Sequence, residues 1–477
     1  MLSLKELKPK LKKVLRTKPR KYQALGILFL ERKKGRGLIG DDMGVGKTLE
    51  VLGYLALHPE LRPVVIVCPS SAKYEWEEQI YKHTKYLKCS VLESRTPYTP
   101  KIQDILIINY EILHYWETFL ANLKPQLIVS DEAHALKERK TLRTLSVKSL
   151  VKKSKAFIPM SGTPIINRPV EFFTILNLLD SKNFSSFWKF AFKYCDPKPG
   201  FRGRGWDFTG ASNIKELHEQ VSNIMIRRTK EEVLPELPPK QRIVVPVELS
   251  NRKEYDKAHE NFMIWYKENY GKQKAKKAKK AVGFVRMQKL RHLSAQGKIQ
   301  EAFKWIEDFL HITEEKLVVF CYHKDIFKLL AKKYNKISCI GGKAGRKRKH
   351  EIDKFQKEKK YRLFIASVKA DKEAITLTAA STTLHIEMAL TPGENDQAED
   401  RILRIGQASK SVSHYYLIAY NSIDEKVWDM VEYKRDIVSR AVDGKSAEDE
   451  SKEISMKDVF KNPRQKSKTK IQNKRRK

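Results

Sequence analysis

Ile39-Gly40-Asp41-Asp42-Met43-Gly44-Val45-Gly46-Lys47-Thr48 decides the fold. It has the character of a phosphate-binding loop. Glycines let backbone N–H groups turn inward around phosphates, Lys47 reaches the β- and γ-phosphates, and the Thr48 hydroxyl is placed to ligate Mg²⁺. Asp42, Met43, Gly44, Val45 and Gly46 complete the expected nucleotide cradle. The first glycine of the strict pattern falls at Asp41, so the loop is a variant. Working outward, Leu127-Ile128-Val129-Ser130 leads into Asp131-Glu132-Ala133-His134. An apolar strand ending in two carboxylates supplies one group, Asp131, for the metal shell and another, Glu132, to orient the attacking water. A lone Gly-Lys-Thr string also arises in ordinary turns. Paired with the acidic strand end, it predicts hydrolysis of ATP with Mg²⁺.

The chain has 477 residues, too many for one core, so two domains and a linker are expected. Hydrophobic content is 41%, ordinary for a folded protein. No apolar run approaches the roughly 20 residues that span a bilayer. Leu2 to Leu15 alternates Leu with Lys and lacks the apolar centre of a signal peptide, which predicts an intracellular protein. A cytoplasmic or nucleoid location follows, or the host cytoplasm for a viral protein. The five cysteines, Cys68, Cys89, Cys195, Cys321 and Cys339, have no zinc or redox spacing, so buried thiols and no structural zinc are expected.

The formal net charge is +38. A chain this basic is expected to bind a polyanion by releasing its counterions. Nucleic acid is the strongest partner inference, although charge alone does not choose between DNA and RNA. Three basic blocks stand out, at Lys5–Lys21, Lys272–Lys280 and Lys461–Lys477. The last reads as a disordered tail that could also recruit protein partners.

Two stretches alternate short apolar strands with helix-like segments, the pattern of parallel sheets covered by helices. The first holds Leu38-Ile39, Val64–Cys68, Ile105–Ile108, Leu127–Ser130 and Ala156–Met160. The second holds Leu317–Cys321, Leu363–Ala366, Thr383–Ile386 and Tyr415–Ala419. Leu234-Pro235-Glu236-Leu237-Pro238-Pro239-Lys240 punctuates the chain between them, followed by a strand-like Ile243–Val247 and long basic helices from Asn251 to Leu293. The Lys/Ala segment within these is a helix or a flexible hairpin tip. Asp196–Gly210, rich in Pro, Gly and Arg, reads as an exposed loop. The division expected is 1–240 for an ATP-binding lobe, with a core over about 20–180 and a helical extension over about 180–230. A basic helical linker at 241–300, a second lobe at 301–442 and a tail at 443–477 follow.

Gln397-Ala398-Glu399-Asp400-Arg401-Ile402-Leu403-Arg404-Ile405-Gly406-Gln407 supplies arginines from the second lobe. Arg401 and Arg404 are three apart, so a helix would point both to one face, toward the γ-phosphate.

These strings carry a resemblance. The chain resembles the Swi/Snf-type helicase-like ATPases of helicase superfamily two, and looks closest to the small annealing-helicase (HepA-related) branch. The similarity covers roughly residues 15–440. Tyr22-Gln23 resembles an adenine-reading element, and Ile66–Ser70 a DNA-contacting segment. Ser161-Gly162-Thr163-Pro164 resembles the element linking hydrolysis to lobe movement, with His134 placed to contact it. Arg227-Arg228-Thr229-Lys230 with Leu237-Pro238-Pro239-Lys240 is a family string without counterpart in the DEAD/DEAH-box RNA helicases. The resemblance implies two RecA-like lobes joined by the basic linker. It implies DNA-stimulated ATP hydrolysis coupled to movement on double-stranded or branched DNA, by a monomer, without a membrane partner. It assigns Lys47, Asp131, Glu132, Arg401 and Arg404 to catalysis, Gln23 to adenine, Thr48 and Asp131 to Mg²⁺, and His134, Ser161 and Thr163 to coupling. Pro69, Ser70, Ser367, Lys369, Lys372 and Thr376 are its DNA contacts. Relatives usually carry glycine at the positions matching Lys372 and Ala374, a departure in a loop expected to approach both DNA and nucleotide.

Bland readings are preferred elsewhere. Trp76, Trp116, Trp188, Trp265, Trp305 and Trp428 are expected to pack in the core, and His83, His114, His292, His350 and His414 to be surface or packing residues. Ser70 and Ser71 could cap a helix while contacting phosphate. Two other functions compete: a strand-separating DNA or RNA helicase, and a DNA-binding scaffold with weak or no ATP cycling. The Arg404-Ile405-Gly406-Gln407 and Leu-Pro-Pro-Lys strings disfavour the first, and only the altered loop at Lys372 favours the second.

Overall fold

The structure, a computed structural model, describes residues 3–101, 103–164, 168–200, 205–270, 282–341, 345–368 and 375–443. Lys369, Lys372, Ala374, the Lys/Ala segment and the basic tail lie outside these residues. The chain forms two units, one built on Met1–Leu237 and the other on Pro238–Leu403 with Gln407–Arg435.

In the first unit, β1 (Leu38–Ile39), β2 (Val64–Cys68), β3 (Cys89–Val91), β4 (Ile105–Asn109), β5 (Leu127–Ser130) and β6 (Ala156–Pro159) run parallel. The sheet order is β3-β4-β2-β5-β6, and single bridges such as Ile39 to Met160 carry β1 alongside β6. Parallel strands buried on both faces read as unbroken apolar runs, which is why Val64–Cys68 is legible as a strand. Alternation divides those residues between two cores. Val65, Val67, Leu106, Ile108 and Ile128 face one, while Val64, Ile66, Ile105, Ile107, Leu127 and Val129 face the other. An exposed hairpin of β7 (Lys198–Pro199) and β8 (Trp206–Asp207) lies within the expected loop. A two-residue strand, β9 (Met225–Ile226), pairs parallel with β1. It brings Arg227 and Arg228 beside the glycine loop.

The second unit holds a six-stranded parallel sheet. Its strands are β10 (Lys240–Val247), β11 (Lys316–Cys321), β12 (Ser338–Ile340), β13 (Leu363–Ser367), β14 (Ala380–His385) and β15 (Val412–Ala419), in the order β10-β15-β14-β11-β13-β12. The stretch 241–300, read as linker, contributes most of edge strand β10 and several helices to this unit's core. The 31-residue helix Val282–Ile312 buries Leu290, Leu293, Ala302 and Ile306 there. Its Lys298 is also buried, donating to the carbonyls of Ile386 (2.6 Å) and Leu417 (2.8 Å) and pairing with Asp424 at 2.7 Å. A buried ammonium persists because all three partners are supplied.

The packing expectation holds for Trp76, Trp116 and Trp265, which are buried, and for Trp305 and Trp428, which are partly buried against a core. Trp188 is the correction. It is 56% exposed, because the helix Phe187–Tyr194 turns Phe190, Ala191 and Tyr194 inward and Trp188 lies on the other face. His414 is fully buried on β15 and bonds Thr383. All five cysteines are buried thiols outside any disulfide. No helix among the described residues is long and apolar enough to cross a membrane.

Candidate active site

The glycine loop connects β1 to the helix Lys47–Leu57. Gly44 and Gly46 adopt φ of 82° and 89°, in the left-handed region that glycine enters without a Cβ clash. These turns aim the helix N-terminus, with its uncommitted N–H groups, at the loop's hollow. Lys47 Nζ donates to the carbonyls of Asp41 (2.9 Å) and Asp42 (3.0 Å), so its charge lies over that hollow. The Thr48 hydroxyl makes no hydrogen bond among the described residues. Gly162 packs on the loop so closely that a Cβ there would lie 2.3 Å from Met43 Cγ and 3.3 Å from Lys47 Nζ.

Gln23 lies at the loop's back. Its Oε1 accepts from Arg20 N–H at 2.9 Å, and its Nε2 donates to the carbonyls of Val45 (3.3 Å) and Gly46 (3.4 Å). Tyr22 donates its hydroxyl to Val45 O at 2.6 Å. The amide NH2 of Gln23 therefore braces the loop while its oxygen caps the start of its own helix, a role that the adenine-reading expectation did not include.

The carboxylates stand at the carboxyl end of β5, where parallel α/β sheets present ligand-binding groups. Asp131 accepts from the Trp76 indole N–H at 2.9 Å and from the Glu132 backbone N–H at 2.9 Å, and Tyr110 donates to its carbonyl at 2.6 Å. Burial, and next the charge of Glu132, push the Asp131 carboxyl up to about 6, against the pull of Trp76 and Lys47. Glu132 has φ of 48°, a left-handed conformation that costs a non-glycine residue energy and recurs at functional positions. Bonds on either side impose it: Asp131 N–H donates to Val67 O and Ala133 N–H to Met160 O, both at 2.8 Å. His134 Nδ1 lies 3.3 Å from Glu132 Oε2 and 3.2 Å from Ser161 Oγ, and Ser161 Oγ accepts from Thr163 N–H at 3.2 Å. A line of close polar contacts thus runs from Glu132 past His134 to Ser161 and Thr163.

These groups fit Mg²⁺ bound with a nucleotide. Mg²⁺ is commonly held by one or two protein oxygens together with phosphate oxygens and water. Thr48 and Asp131 are such oxygens, and a carboxyl raised to about 6 by burial, and next by the charge of Glu132, gains from a cation. No group of three or more His, Cys, Asp or Glu side chains among the described residues could hold a metal by itself.

Asp41, the departure from the strict loop, is fully buried and ion-paired to Arg228. The same guanidinium contacts both Glu50 oxygens at 2.9 Å and donates to the Tyr22 carbonyl. Burial, then the charge of Asp41, raises the Glu50 carboxyl well above its usual range although Arg228 opposes the shift. Two buried carboxyls share one guanidinium, and a retained proton relieves the excess charge. Arg227 donates to the carbonyls of Gly40 (2.7 Å) and Gly162 (3.2 Å) and pairs with Asp42 at 2.6 Å. The Arg-Arg string is therefore the scaffold of the glycine loop. An aspartate in a buried loop signals an unseen cation, but no spacing rule joins residue 41 to residue 228. Trp76, expected only to pack, gives no local sign of its bond to Asp131 either.

Arg401 and Arg404 do not sit on a helix. The helix Pro392–Glu399 ends before them, and residues 400–406 form turns and bends. Pro392 starts that helix at a position where its missing N–H costs nothing, while after Glu399 the chain's amides turn to local i→i−3 bonds, Arg401 N–H to Ala398 O and Ile402 N–H to Glu399 O. Both arginines are buried. Pro69 and Ser70 follow the carboxyl end of β2, and Ser367 ends β13, with Thr376 nearby in sequence. The helix after Ser70 starts at Lys73 with Ala72 as its N-cap, so neither Ser70 nor Ser71 caps it.

The model of the SNF2-related domain matches residues 22–301, and that of the helicase conserved C-terminal domain matches residues 301–406. The chain is similar to the DNA annealing helicase and endonuclease ZRANB3 of Bos taurus, 32% identical over 449 residues, covering 90% of this chain and 41% of the relative. It is similar to the SWI/SNF-related matrix-associated actin-dependent regulator of chromatin subfamily A-like protein 1 of Xenopus tropicalis, 31% identical over 457 residues, covering 94% and 47% respectively. The chain thus spans less than half the length of these curated relatives. Among solved structures it is similar to the Sulfolobus solfataricus SWI2/SNF2 ATPase core in complex with dsDNA, with 26% identity, 90% of this chain and 94% of that chain covered, and a TM-score of 0.43.

Proposed function

The chain belongs to the SNF2-related family, and on that premise we propose that it is a DNA-dependent ATPase that moves on or remodels double-stranded or branched DNA without separating its strands. The observation that carries this reading is the convergence of Lys47, Thr48, Asp131 and Glu132 around one glycine loop, linked through His134 to Ser161. A relative named as a DNA annealing helicase supports DNA as the polymer. The charge of +38 supports electrostatic binding to its backbone.

In the proposed reaction, loop N–H groups and Lys47 hold the phosphates, and Thr48 and Asp131 would hold Mg²⁺, whose charge would offset that developing on the phosphate oxygens. Glu132 takes a proton from the attacking water, in the orientation its backbone imposes. Arg401 and Arg404 stabilise the equatorial charge of the transferring group. The contact of His134 with both Glu132 and Ser161 passes a change at the hydrolytic carboxylate to the Ser161–Thr163 element, which packs on the loop through Gly162. Pro69, Ser70, Ser367 and Thr376, with Lys369 and Lys372, contact the DNA backbone, and the cycle displaces these contacts along it.

The test is the ATPase rate with no nucleic acid, single-stranded DNA, duplex DNA, forked DNA and RNA, for the wild type and Glu132→Gln. Stimulation by duplex or forked DNA, abolished in the variant, is expected. Stimulation by RNA or single strands alone would favour a strand-separating helicase. Absence of hydrolysis on every substrate would favour a DNA-binding scaffold.

A further inference from the structure

Glu399 is the last residue of the helix Pro392–Glu399, two residues before Arg401, and it is fully buried. Three donors converge on its carboxylate. Arg242 approaches with both Nε and Nη2 at 2.8 Å, the Tyr416 hydroxyl at 2.6 Å, and Lys240 Nζ at 2.5 Å. Lys240 and Arg242 are two apart on β10, so they emerge on one face of the strand, and Tyr416 lies on the adjacent β15. Arg242 also grips Asp396, three residues earlier on the same helix, at 2.7 Å, and Arg435 holds that carboxylate from another side at 3.1 Å. Burial works against ionisation of Glu399, but Lys240 and the neighbouring cations overcome it and hold the carboxyl well below its usual range. His385 and His414 lie in this core with burial pushing each down to about 3, so neither competes as a cation.

A buried ion pair is a poor way to gain stability, since apolar residues of similar volume often serve as well. Its strength is orientation, and the bidentate guanidinium fixes a carboxylate in plane and direction. The segment after Glu399 needs such fixing. Residues 400–406 lack regular structure, and local bonds hold them in place, among them Leu377 N–H to Arg401 O at 2.8 Å and Gln407 Nε2 to Ile402 O at 2.9 Å.

We propose that Lys240 and Arg242 are positioning residues for hydrolysis, gripping Glu399 so that the turn carrying Arg401 is held in its working place. The Leu-Pro-Pro-Lys string thereby gains a role, since the residues that open the second unit anchor its arginine segment. The proposal rests on the assignment of Arg401 as a transition-state donor.

The test is a double-mutant cycle between Arg242→Lys and Arg401→Lys, with Tyr416→Phe as a milder probe that removes one hydrogen bond and no charge. DNA-stimulated kcat, affinity for a fluorescent ATP analogue and thermal stability are measured for each. Lys298→Met, which breaks the buried ion pair with Asp424 in the same unit and does not touch Glu399, is the control for general loosening. Arg242→Lys is expected to lower kcat roughly tenfold while nucleotide affinity stays within about twofold, because charge is kept and the planar fork is lost. Tyr416→Phe is expected to give a smaller loss of the same kind. Adding Arg242→Lys to Arg401→Lys is expected to cost nothing further, since both act through one group. Three results would overturn the proposal: wild-type kcat in Arg242→Lys beside a crippled Arg401→Lys, losses that multiply in the double variant, or an equal loss of kcat in Lys298→Met. If Arg401→Lys alone retains kcat, the underlying assignment has failed instead, and the proposal falls with it.

Discussion

Trp76 donates its indole N–H to Asp131 Oδ2 at 2.9 Å, joining the helix after β2 to the acidic end of β5. The contact restrains a carboxyl that burial and Glu132 drive toward protonation. Trp76→Phe keeps the packing and loses the donor. Hydrogen bonds to charged groups contribute about 1.5–3 kcal/mol, so kcat is expected to fall roughly tenfold or more at pH 6.5, where Asp131 would then hold its proton. The deficit should shrink by pH 8. A loss of the same size at both pH values would show that the bond does not govern ionisation.

Stability should run opposite to activity at the same residue. An acid whose folded pKa is raised binds its proton more tightly in the native state, so its contribution to stability is present at low pH and lost as pH rises through the folded value. For Asp131 that window runs from the ordinary aspartate value of 3.8 up to about 6. Asp131→Asn is expected to raise the melting temperature of the Mg²⁺-free protein at pH 7.5, to gain little at pH 4.5, and to abolish hydrolysis. A lower melting temperature at pH 7.5 would contradict the electrostatic account.

Arg228 binds two buried carboxyls, so its removal strands charge in the core. Arg228→Met is expected to cost about 3–5 kcal/mol in urea unfolding, the range for breaking a buried pair by deleting one partner. Glu50→Gln added to it should recover part of that cost, because one of the stranded carboxyls is gone. Equal instability of the single and double variants would remove Glu50 from the network.

Gly26 makes room for the same network. A Cβ at this position would lie 1.7 Å from Glu50 Oε2. In most helix interiors Gly→Ala stabilises by roughly 0.5–1 kcal/mol. Here Gly26→Ala is expected to destabilise, by about 1–3 kcal/mol as overpacking does, and to weaken ATP binding by displacing Glu50 from Arg228. A gain in stability would mean that Glu50 moves aside freely.

Affinity for duplex DNA should fall steeply with salt. Replacing several condensed counterions gives a slope of log K against log salt of about −4 or steeper. A slope near −1 would confine the basic surface to something other than the DNA backbone.

The glycine loop, the acidic strand end and most strands were legible because each is encoded locally. Val64–Cys68 is apolar throughout, and Gly44 and Gly46 precede Lys47-Thr48 on one short stretch of chain. The three-residue strands at Cys89–Val91 and Ser338–Ile340 were not, since so few residues carry no periodicity. The spacing of Arg401 and Arg404 suggested a helical face, yet helix propagation stops at Glu399, where side-chain anchoring replaces the backbone ladder. Trp188 shows the limit of composition: an aromatic residue on an amphipathic helix faces outward when its neighbours fill the core.

The sequence by itself determined the class of fold, the phosphate loop and the pair of carboxylates, because backbone conformation at glycines and hydrophobic burial in strands depend on neighbours a few residues apart. Only the tertiary structure decided that Asp41 and Glu50 meet Arg228, that Trp76 meets Asp131, and that Lys240 and Arg242 meet Glu399. Each of these is a buried polar contact between distant segments. Its partner is chosen by which groups desolvation leaves together, and no local spacing in the chain records that choice.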